Sequence, residues 1–480
     1  MHPLLNSIQA QGLSRRIFLR NLLFTAGSVT TAQLLTGCVG GNSTGTQVSE
    51  SLPESPPVDG DTVETIVPSL FKEIGPLLPA DENGIRLPAG FRSRVVAVSG
   101  EQPLPGSSSF AWVADPDGAA TFRMPDGGWL YVANAEVRDA TSGGLFDPLQ
   151  PIVSRENVEA SGSGLNGGVG VLRFDQDGNL IDAYQALENV TTLCSGVATP
   201  WGTWLCGEEI TDGYLFECEP LGTNPGGRRL DIFGRKGHEQ AAVDEANRTI
   251  YHTEDFGGSD RFYRTVFTAA DWPEGGRPNL EEGILQVLVV EGGIEAARQG
   301  PAPIRWVDAI NDGRPQSEVY SDETTIFSGN EGCWFLNGFV FFSNKGDNSL
   351  WAIDTIGQTV ENIYSPEAMV EGSPVDENEE PLTGVDNITM TDDGDILVVE
   401  DGGFMRVMVL LPDLTTIPLL QVSDVTGESE VTGPAFSPDG KRLYVSAQRN
   451  GRNGQAGNGI TYEITLPFSV NVTRPMASGA

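Results

Sequence analysis

Acidic and amide side chains recur at the ends of short apolar runs along this chain. Each run follows a turn signal with Gly, Asp or Asn and ends in an oxygen-bearing side chain. The residues at the ends of these runs are Asn134, Glu208, Glu254, Asn344, Glu400 and Gln448. Carboxylate and carbonyl oxygens are the ligands that hard cations such as Ca²⁺ prefer. If these side chains converge, they predict a cation site, because clustered carboxylates cannot all stay ionised without positive charge nearby.

The remaining reactive residue types narrow the choice of metal and reaction. Apart from His2, the only histidines are His238 and His252, too few for a histidine-rich zinc or copper site. No two cysteines have the Cys-x-x-Cys spacing of a structural zinc site. A serine hydrolase is disfavoured because the sequence has no Gly-x-Ser-x-Gly elbow followed by a histidine. Calcium or ferric iron fits the carboxylates and an available thiolate better.

The elements that must position these side chains are strands. Turn signals followed by β-branched and aromatic residues predict strands, and their irregular repetition predicts an all-β fold, a six-bladed β-propeller with insertions between blades. In such a fold, equivalent strand ends face one mouth of the central channel, so their polar side chains converge. Segments 115–118, 175–178 and 392–394 resemble fragments of calcium loops but lack the closing Glu, and we interpret them as hairpin turns.

The charge balance excludes one class of partner. The chain has 29 Lys and Arg residues against 66 Asp and Glu residues, a formal net charge of -37. Such a field repels phosphate backbones, so nucleic-acid binding is not expected. The acidic excess suits either cation binding or solubility, and composition alone does not separate the two.

The N-terminus has the pattern of a twin-arginine export signal. Arg15 and Arg16 precede an apolar stretch over residues 21–35, which leads into Leu-Thr-Gly-Cys ending at Cys38. This order predicts a signal peptide over residues 1–37 and lipid attachment at Cys38. Residues 38–75 are predicted to be a flexible lipoprotein tether, and residues 76–475 a single β-propeller catalytic domain. We therefore expect an exported protein, held at the membrane only by its lipid anchor, in the periplasm or at the cell surface.

Four cysteines follow the predicted lipidation site: Cys194, Cys206, Cys218 and Cys333. An even number in an oxidising compartment permits two disulfides in any of three pairings. Four in so long a chain is sparse for a disulfide scaffold. A buried thiol, a disulfide and a metal-bound thiolate all remain open for each of them at this point.

One segment matches a known family closely. Residues 194–209, Cys-Ser-Gly-Val-Ala-Thr-Pro-Trp-Gly-Thr-Trp-Leu-Cys-Gly-Glu-Glu, resemble the cysteine-to-diglutamate motif of the PhoX-type alkaline phosphatases. Segments resembling that family follow in the same order at 237–239, 253–255, 331–334, 385–387 and 432–440. The resemblance implies a propeller whose mouth holds a pair of Fe³⁺ ions and more than one Ca²⁺ ion. The implied activity is hydrolysis of small phosphate monoesters for phosphate acquisition, with the oligomeric state left open.

The resemblance also implies roles for individual residues. Cys194 is expected to be an iron-binding thiolate, with Glu239 and Glu331 as carboxylate ligands of iron. The residues expected to bind calcium or to support the ligands are Glu208, Glu209, Glu254, Asp255, Asp386 and Glu430. The expected catalytic residues are Glu331 and Asn134, whose amide would donate to a phosphoryl oxygen.

The sequence departs from the family pattern at the phosphate site. Family members tend to have a basic residue just ahead of Glu-Gly-x-Trp, where this chain has Phe-Ser-Gly-Asn over residues 327–330. The family's Asn-His-Glu becomes Asn134-Ala135-Glu136. The metal site is therefore better preserved than the phosphate site. Two alternatives stay open: a metal-dependent esterase or lactonase-like propeller hydrolase, and a non-catalytic, calcium-stabilised surface propeller.

Overall fold

The computed structural model of the chain describes residues 69–106, 108–137, 167–222, 225–255, 257–366, 381–423, 429–450 and 459–480. The predicted signal peptide, the lipidation site Cys38 and the predicted tether up to residue 68 lie outside these residues. Within them, no helix is both long and apolar enough to cross a membrane. The end of the segment predicted as tether packs onto the domain, because Phe71, in a 3₁₀ helix over Leu70–Glu73, is fully buried.

Antiparallel strands in five hydrogen-bonded sheets dominate the described secondary structure, so the all-β prediction is confirmed. The first sheet contains β3 (Pro116–Arg123), β4 (Trp129–Ala135), β5 (Gly167–Phe174) and β6 (Leu180–Val190). The second contains β7 (Leu193–Ala198), β8 (Trp204–Glu208), β9 (Leu215–Cys218) and β10 (Arg228–Leu230). The third contains β1 (Ile85–Arg86), β20 (Val385–Met390), β21 (Ile396–Glu400), β22 (Arg406–Leu410) and β23 (Thr416–Val422). The fourth contains β2 (Arg92–Val98), β24 (Val431–Phe436), β25 (Arg442–Ala447) and β26 (Ile460–Thr465).

The fifth sheet has nine strands and is the largest. Its strands are β11 (His238–Asp244), β12 (Thr249–Glu254), β13 (Phe262–Val266), β14 (Ile284–Val290), β15 (Ala302–Asp308), β16 (Asn330–Leu336), β17 (Phe339–Asn344), β18 (Ser349–Asp354) and β19 (Thr359–Tyr364). Two antiparallel runs, β11–β15 and β16–β19, are joined in one hydrogen-bonded sheet where β15 pairs with β19 at Ala302 and Pro303. Besides the 3₁₀ helix Leu70–Glu73, the short helices of the described residues are α1 (Ile294–Gln299) and 3₁₀ turns at Asp231–Phe233, Gln316–Glu318 and Lys345–Asp347.

Each sheet buries both of its faces against neighbouring sheets. In β21, Leu397 and Val399 point into one hydrophobic cluster, and Ile396 and Val398 point into another. This follows from the period of two along a strand, which sends successive side chains to opposite faces. The strand is therefore a continuous apolar run, not an alternating one. Sheets packed on both faces give the propeller-like arrangement.

The two ends of the domain close on each other in one sheet. The N-terminal strand β2 pairs antiparallel with the C-terminal strand β26, with Arg92 opposite Thr465 and Val98 opposite Ile460. Pairing of strands from the two ends of the chain within one sheet is typical of closed β architectures.

One strand of each antiparallel run belongs to a closed inner ring. In this ring β3 contacts β7, and the contacts continue through β11, β16, β20 and β24 back to β3. We call these six the inner strands. Each has an extra residue relative to its hairpin partner: the shifts fall at 116/119, 193/196, 238/241, 330/333, 385/388 and 432/435. Side chains along a strand normally alternate between the two faces of the sheet. A bulge of this kind changes the direction of one side chain in each inner strand.

Glycine is needed where these bulges bring inner strands together. A Cβ at Gly118 would lie 2.4 Å from Ser195 Cα, and one at Gly332 would lie 2.7 Å from Ile388 N. Both contacts are to backbone atoms of the next inner strand, which cannot move aside cheaply. The glycine that follows Glu331 in the sequence motif is therefore explained by close packing of the ring.

Candidate metal centre

The bulges of five inner strands send one reactive side chain each into a common cavity of about 30 Å³ at one end of the ring. These side chains are Asp117, Cys194, Glu239, Glu331 and Asp386. In every case the residue is the second of the bulged segment, so the equivalence comes from backbone geometry and not from sequence spacing. In β24 the same position is Gly433, which contributes no side chain.

The hairpin partners of these strands add a second set of side chains. On each partner strand, the residue paired with the first residue of the bulge is followed directly by a charged residue that lines the cavity. These charged residues are Glu136, Glu209, Asp255, Lys345 and Asp401. Glu430 and Arg449, which flank β24 and β25, complete the lining. The cavity therefore contains nine carboxylates, one thiol and two cations.

One half of the cavity is built around the thiol. Cys194 Sγ lies 2.8 Å from Glu239 Oε2 and 3.4 Å from Asp117 Oδ2. One ligand atom from each of Cys194, Glu209 and Glu239 can lie within 4.8 Å of the others, a separation that suits a shared metal ion. Burial and the nearby Asp117 and Glu239 raise the pKa of the Cys194 thiol well above its ordinary value. A bound cation reverses this, because metal coordination deprotonates a thiol.

The other half of the cavity holds the two cations. Lys345 Nζ lies 2.6 Å from Asp401 Oδ2, 3.0 Å from Asp386 Oδ2 and 3.4 Å from Glu331 Oε1. Arg449 Nη2 lies 2.5 Å from Glu430 Oε1. Ligand atoms of Asp386, Asp401 and Glu430 form a second group within 4.8 Å of one another. In this half, the charge of the carboxylates is therefore partly balanced by the chain itself.

Without a metal the acids of the cavity cannot all be ionised. Burial, reinforced by neighbouring acids, raises the pKa of Asp117 and Glu239 well above the ordinary range, and that of Glu430 to about 8. Burial also raises the pKa of Glu331, although Lys345 opposes the shift. For Asp401 the pull of Lys345 outweighs burial and the pKa is lowered.

Among the described residues, two buried carboxylate oxygens of the cavity accept no hydrogen bond: Asp117 Oδ1, and Glu331 Oε1, whose contact is the 3.4 Å ion pair with Lys345. Orphaned carboxylate oxygens in a buried site are costly unless a cation or water satisfies them. The donor set, with one thiol and many carboxylates, is the chemistry that binds hard or borderline cations. The residues present therefore fit a metal centre.

The structure brings together most of the residues that the sequence singled out. Those lining the cavity are Cys194, Glu209, Glu239, Asp255, Glu331, Asp386 and Glu430. Asn134, Glu208 and Glu254 do not line it. The four cysteines considered for disulfides, Cys194, Cys206, Cys218 and Cys333, are all buried free thiols.

Glu208 and Glu254 accept hydrogen bonds from backbone amides instead of lining the cavity. Glu208 accepts hydrogen bonds from the amides of Thr191 at 3.3 Å and Tyr214 at 3.1 Å. Glu254 accepts from the amide of Arg261 at 3.0 Å and from the hydroxyl of Tyr320 at 2.7 Å. Their carboxylates fix the loops behind the cavity, so the repeated strand-end acids serve a structural purpose at these two places.

Asn134 is fully buried, and both ends of its amide are used inside the protein. Its Nδ2 donates to the carbonyl oxygens of Cys194 at 2.9 Å and Ser195 at 3.2 Å, and its Oδ1 accepts from Trp204 Nε1 at 2.8 Å. These bonds fix the bulge that carries Cys194. The donation to a phosphoryl oxygen predicted from the sequence has no support in this geometry.

Five residues that line the cavity were not predicted from the sequence to be site residues: Asp117, Glu136, Lys345, Asp401 and Arg449. Interpreting residues 115–118 as a hairpin turn was wrong, because β3 begins at Pro116 and Asp117 sits in its bulge. The other two Asp-rich segments do form turns, between β5 and β6 and between β20 and β21. Their position in the sequence could have identified three of them, because Lys345, Asp401 and Arg449 directly follow the residues that end apolar runs.

The fold and the site together define a propeller-like all-β protein with a buried acidic cavity whose side chains fit metal ions. The family description alkaline phosphatase PhoX matches residues 211–333 of the chain. The structure of Pseudomonas fluorescens PhoX in complex with vanadate, a transition state analogue, aligns with a TM-score of 0.62 and 16% identity, over 82% of this chain and 98% of that one. The resemblance to the PhoX-type alkaline phosphatases is thus confirmed.

More distant likenesses are also found. A gluconolactonase from Xanthomonas campestris aligns with a TM-score of 0.41 and 12% identity, over 82% of this chain and 98% of that one. The calcium-binding protein regucalcin from Agrobacterium tumefaciens aligns with a TM-score of 0.34 and 13% identity, over 75% and 93%. Neither is close enough to inform on function. No curated protein matches the sequence.

Proposed function

We propose that this protein is a metal-dependent phosphatase of the alkaline phosphatase type that hydrolyses small phosphate monoesters. The observation that carries the proposal is the cavity in which Cys194, Glu239 and Glu331, all from the family motifs, converge with seven further carboxylates. The family match over residues 211–333 supports the reaction class.

The ligand assignment follows the roles that the family resemblance implies. Cys194, Glu239 and Glu331 are proposed to hold a pair of Fe³⁺ ions, because a thiolate favours a transition metal over calcium. Glu209, Asp255, Asp386 and Glu430 are proposed to serve Ca²⁺, joined by Asp117, Glu136 and Asp401. Glu208 and Glu254 are left out of this set because they bind backbone amides.

Bound metal ions would stabilise phosphoryl charge and activate water, so no side-chain nucleophile is needed. The chain's own residues supply the remaining functions. Asn134 holds the Cys194 bulge in place, and Gln448 Nε2 donates to Glu136 at 2.7 Å, which orients that carboxylate. The almost complete burial of Glu239 and Glu331 excludes bulk water from the place where charge develops.

Lys345 and Arg449 take the place of the missing arginine ahead of Glu331 in this proposal. Both cations line the cavity, and a guanidinium or ammonium beside carboxylates can donate to phosphoryl oxygens when substrate arrives. This accounts for an anionic substrate entering so acidic a protein. Glu331 remains the proposed catalytic carboxylate, now with Lys345 as its neighbour.

The six-bladed architecture is part of the same proposal. Six inner strands contact each other in a ring, and six hydrophobic clusters each combine residues of neighbouring sheet units. The nine-stranded sheet is then two blades joined at the β15–β19 contact. Two side chains per blade would line the cavity.

Export and membrane attachment remain proposals from the sequence. The twin-arginine pattern at Arg15 and Arg16 and the lipidation site at Cys38 would place the protein in the periplasm or at the cell surface. Phosphate acquisition outside the cytoplasm is the use consistent with that route.

The experiment is a substrate panel with protein folded in its native host. Phosphate monoesters and lactones are assayed before and after chelation, on wild type, Glu331→Gln and the exposed control Glu274→Gln. The proposal predicts phosphatase activity that chelation and Glu331→Gln abolish and Glu274→Gln retains. Lactone hydrolysis without phosphatase activity would favour the lactonase-like alternative, and no turnover with calcium bound would favour the non-catalytic propeller.

A further inference from the structure

A second cavity lies along the same inner strands, and bulge residues such as Gln240 and Asn387 are among those that line it. It has a volume of about 140 Å³ and is lined mainly by small and apolar side chains of the inner strands. Among the lining residues are Ala198, Ala242, Trp334, Phe335 and Ile388. It shares no lining residue with the acidic cavity. It is therefore a separate compartment with the opposite character.

The C-terminal segment crosses the mouth of this cavity and is fixed on both sides. Upstream, Thr473 N and Oγ1 donate to Asp392 Oδ1 at 3.2 Å and Oδ2 at 2.8 Å. Downstream, Arg123 N donates to Pro475 O at 2.8 Å, and Ala477 N donates to Arg123 O at 3.0 Å. These hydrogen bonds restrict the backbone conformation on both sides, so the residue between them has a fixed position.

That residue is Arg474, which lines the cavity and is only 7% exposed. Its guanidinium makes one hydrogen bond, from Nη1 to Thr473 O at 2.9 Å, and lies 5.6 Å from the Trp334 ring centre. Within the described part of the chain it has no carboxylate in ion-pair contact. The nearby Asp392 has both carboxylate oxygens engaged by Thr473.

A comparison with another buried arginine makes the difference clear. Arg406 is fully buried, and its Nε and Nη2 lie 2.7 and 2.5 Å from the two carboxylate oxygens of Glu400. A buried cation without such a partner is costly. Burial lowers the pKa of Arg474, but only to about 10, so the group stays charged at neutral pH. Asp392 opposes this shift, and an anion from outside the chain would supply the close partner that the described residues do not.

The two side-chain amides that line the cavity are already engaged. Gln240 Nε2 donates to Ile388 O at 3.0 Å, and Asn387 Nδ2 donates to Asp386 Oδ1 at 2.8 Å. With these amides engaged and the walls apolar, the ligand needs one negative end and an apolar body. A cavity of about 150 Å³ in another protein accommodates a benzene ring, which sets the size.

We propose that this cavity binds a small monocarboxylate with an apolar body, its carboxylate on the Arg474 guanidinium and its body against the alanine and Trp334 walls. Guanidinium and carboxylate match in geometry and form strong charge-assisted hydrogen bonds. The site does not depend on the proposed phosphatase reaction, since it shares no residue with the acidic cavity.

Calorimetric titration with benzoate tests the proposal, with benzyl alcohol as the uncharged analogue. The expected result is saturable benzoate binding to the wild-type protein and weaker binding of benzyl alcohol. Arg474→Met should weaken benzoate binding by about tenfold or more, whereas the exposed control Arg92→Met should not change it. Thermal unfolding of each variant verifies that it is folded.

A second variant keeps the test decisive if Arg474→Met fails to fold. Ala198→Leu narrows the cavity from its wall and leaves Arg474 in place, so benzoate binding should weaken while the metal content stays unchanged. Absence of benzoate binding to wild type would overturn the proposal. Equal affinity for benzyl alcohol, or unchanged benzoate binding in the folded Arg474→Met variant, would overturn it as well.

Discussion

Cys194 Sγ lies 2.8 Å from Glu239 Oε2, although the two residues belong to different sheets and are 45 positions apart. The contact exists because equivalent bulges in β7 and β11 turn both side chains toward the same cavity. A thiol and a carboxylate held this close can bind the same metal ion. The proposed metal chemistry depends on this relationship.

Replacing the thiol should remove the transition metal selectively. Cys194→Ser is expected to lose bound iron while retaining the fold, because a hydroxyl is a much poorer ligand than a thiolate for such an ion. Elemental analysis of purified protein measures this. Cys206→Ser is the matched control, since Cys206 is a buried thiol of the neighbouring strand β8 that does not line the cavity. Equal iron in both variants would refute the ligand role.

Substitutions of the adjacent residues Glu208 and Glu209 should have different effects. Glu208→Ala is expected to lower the free energy of unfolding by about 1–3 kcal/mol, because two backbone amides lose their acceptor. Glu209→Ala should instead lower metal content. Urea unfolding and elemental analysis of both variants separate the effects. Loss of metal from Glu208→Ala without loss of stability would contradict the assignment.

The metal-free protein should become less stable as pH rises. The cavity acids Glu239, Glu331 and Glu430 have a raised pKa in the folded state, so the native protein binds more protons than the unfolded chain. The unfavourable effect of these acids sets in above the ordinary glutamate pKa, and the part due to Glu430 grows up to its pKa of about 8.

Thermal unfolding of chelated protein at pH 5 and pH 8 measures this effect. We expect a lower melting temperature at pH 8 and its recovery when Ca²⁺ is added. A melting temperature that rises with pH in the chelated protein, or that ignores added metal, would count against a cation site in the cavity.

Lys345 should matter most when metal is absent. Its Nζ contacts Asp401, Asp386 and Glu331. Although the Lys345 side chain is 34% exposed, its loss leaves the buried Glu331 and Asp386 unpaired, which costs up to about 3–5 kcal/mol. Lys345→Met is therefore expected to destabilise the chelated protein strongly at pH 8 in urea unfolding. Lys72→Met, which breaks the exposed pair with Asp413, should cost less than about 1 kcal/mol. Equal small effects would show that Lys345 does not balance the cavity.

The sequence predicted the class of fold and the core of the site through two different signals. Turn and strand patterns were enough for an all-β propeller-like chain, because local residue preferences encode them. Glu239, Glu331 and Asp386 were found through motif resemblance. The bulges that aim these residues inward were not predictable, since one extra residue in a strand leaves no mark in an apolar pattern.

The same limit explains the errors. Asp117 lies in Asp-Pro-Asp-Gly, a strong local turn signal that the ring of inner strands overrides. Glu208 and Glu209 are neighbours, and only the three-dimensional closure of β7 against β8 decides which of them faces the cavity. Lys345 was missed because its role arises from carboxylates on two separate sheets.

The most direct test of the central claim is phosphomonoester turnover by Glu239→Gln, measured together with its metal content. Glu239 contacts the Cys194 thiol and lines the cavity, so its loss should remove a ligand without changing the bulk of the domain. The account predicts that kcat/KM falls by about a hundredfold or more, with bound iron reduced in the folded variant. A folded Glu239→Gln protein with wild-type turnover and wild-type iron would contradict it.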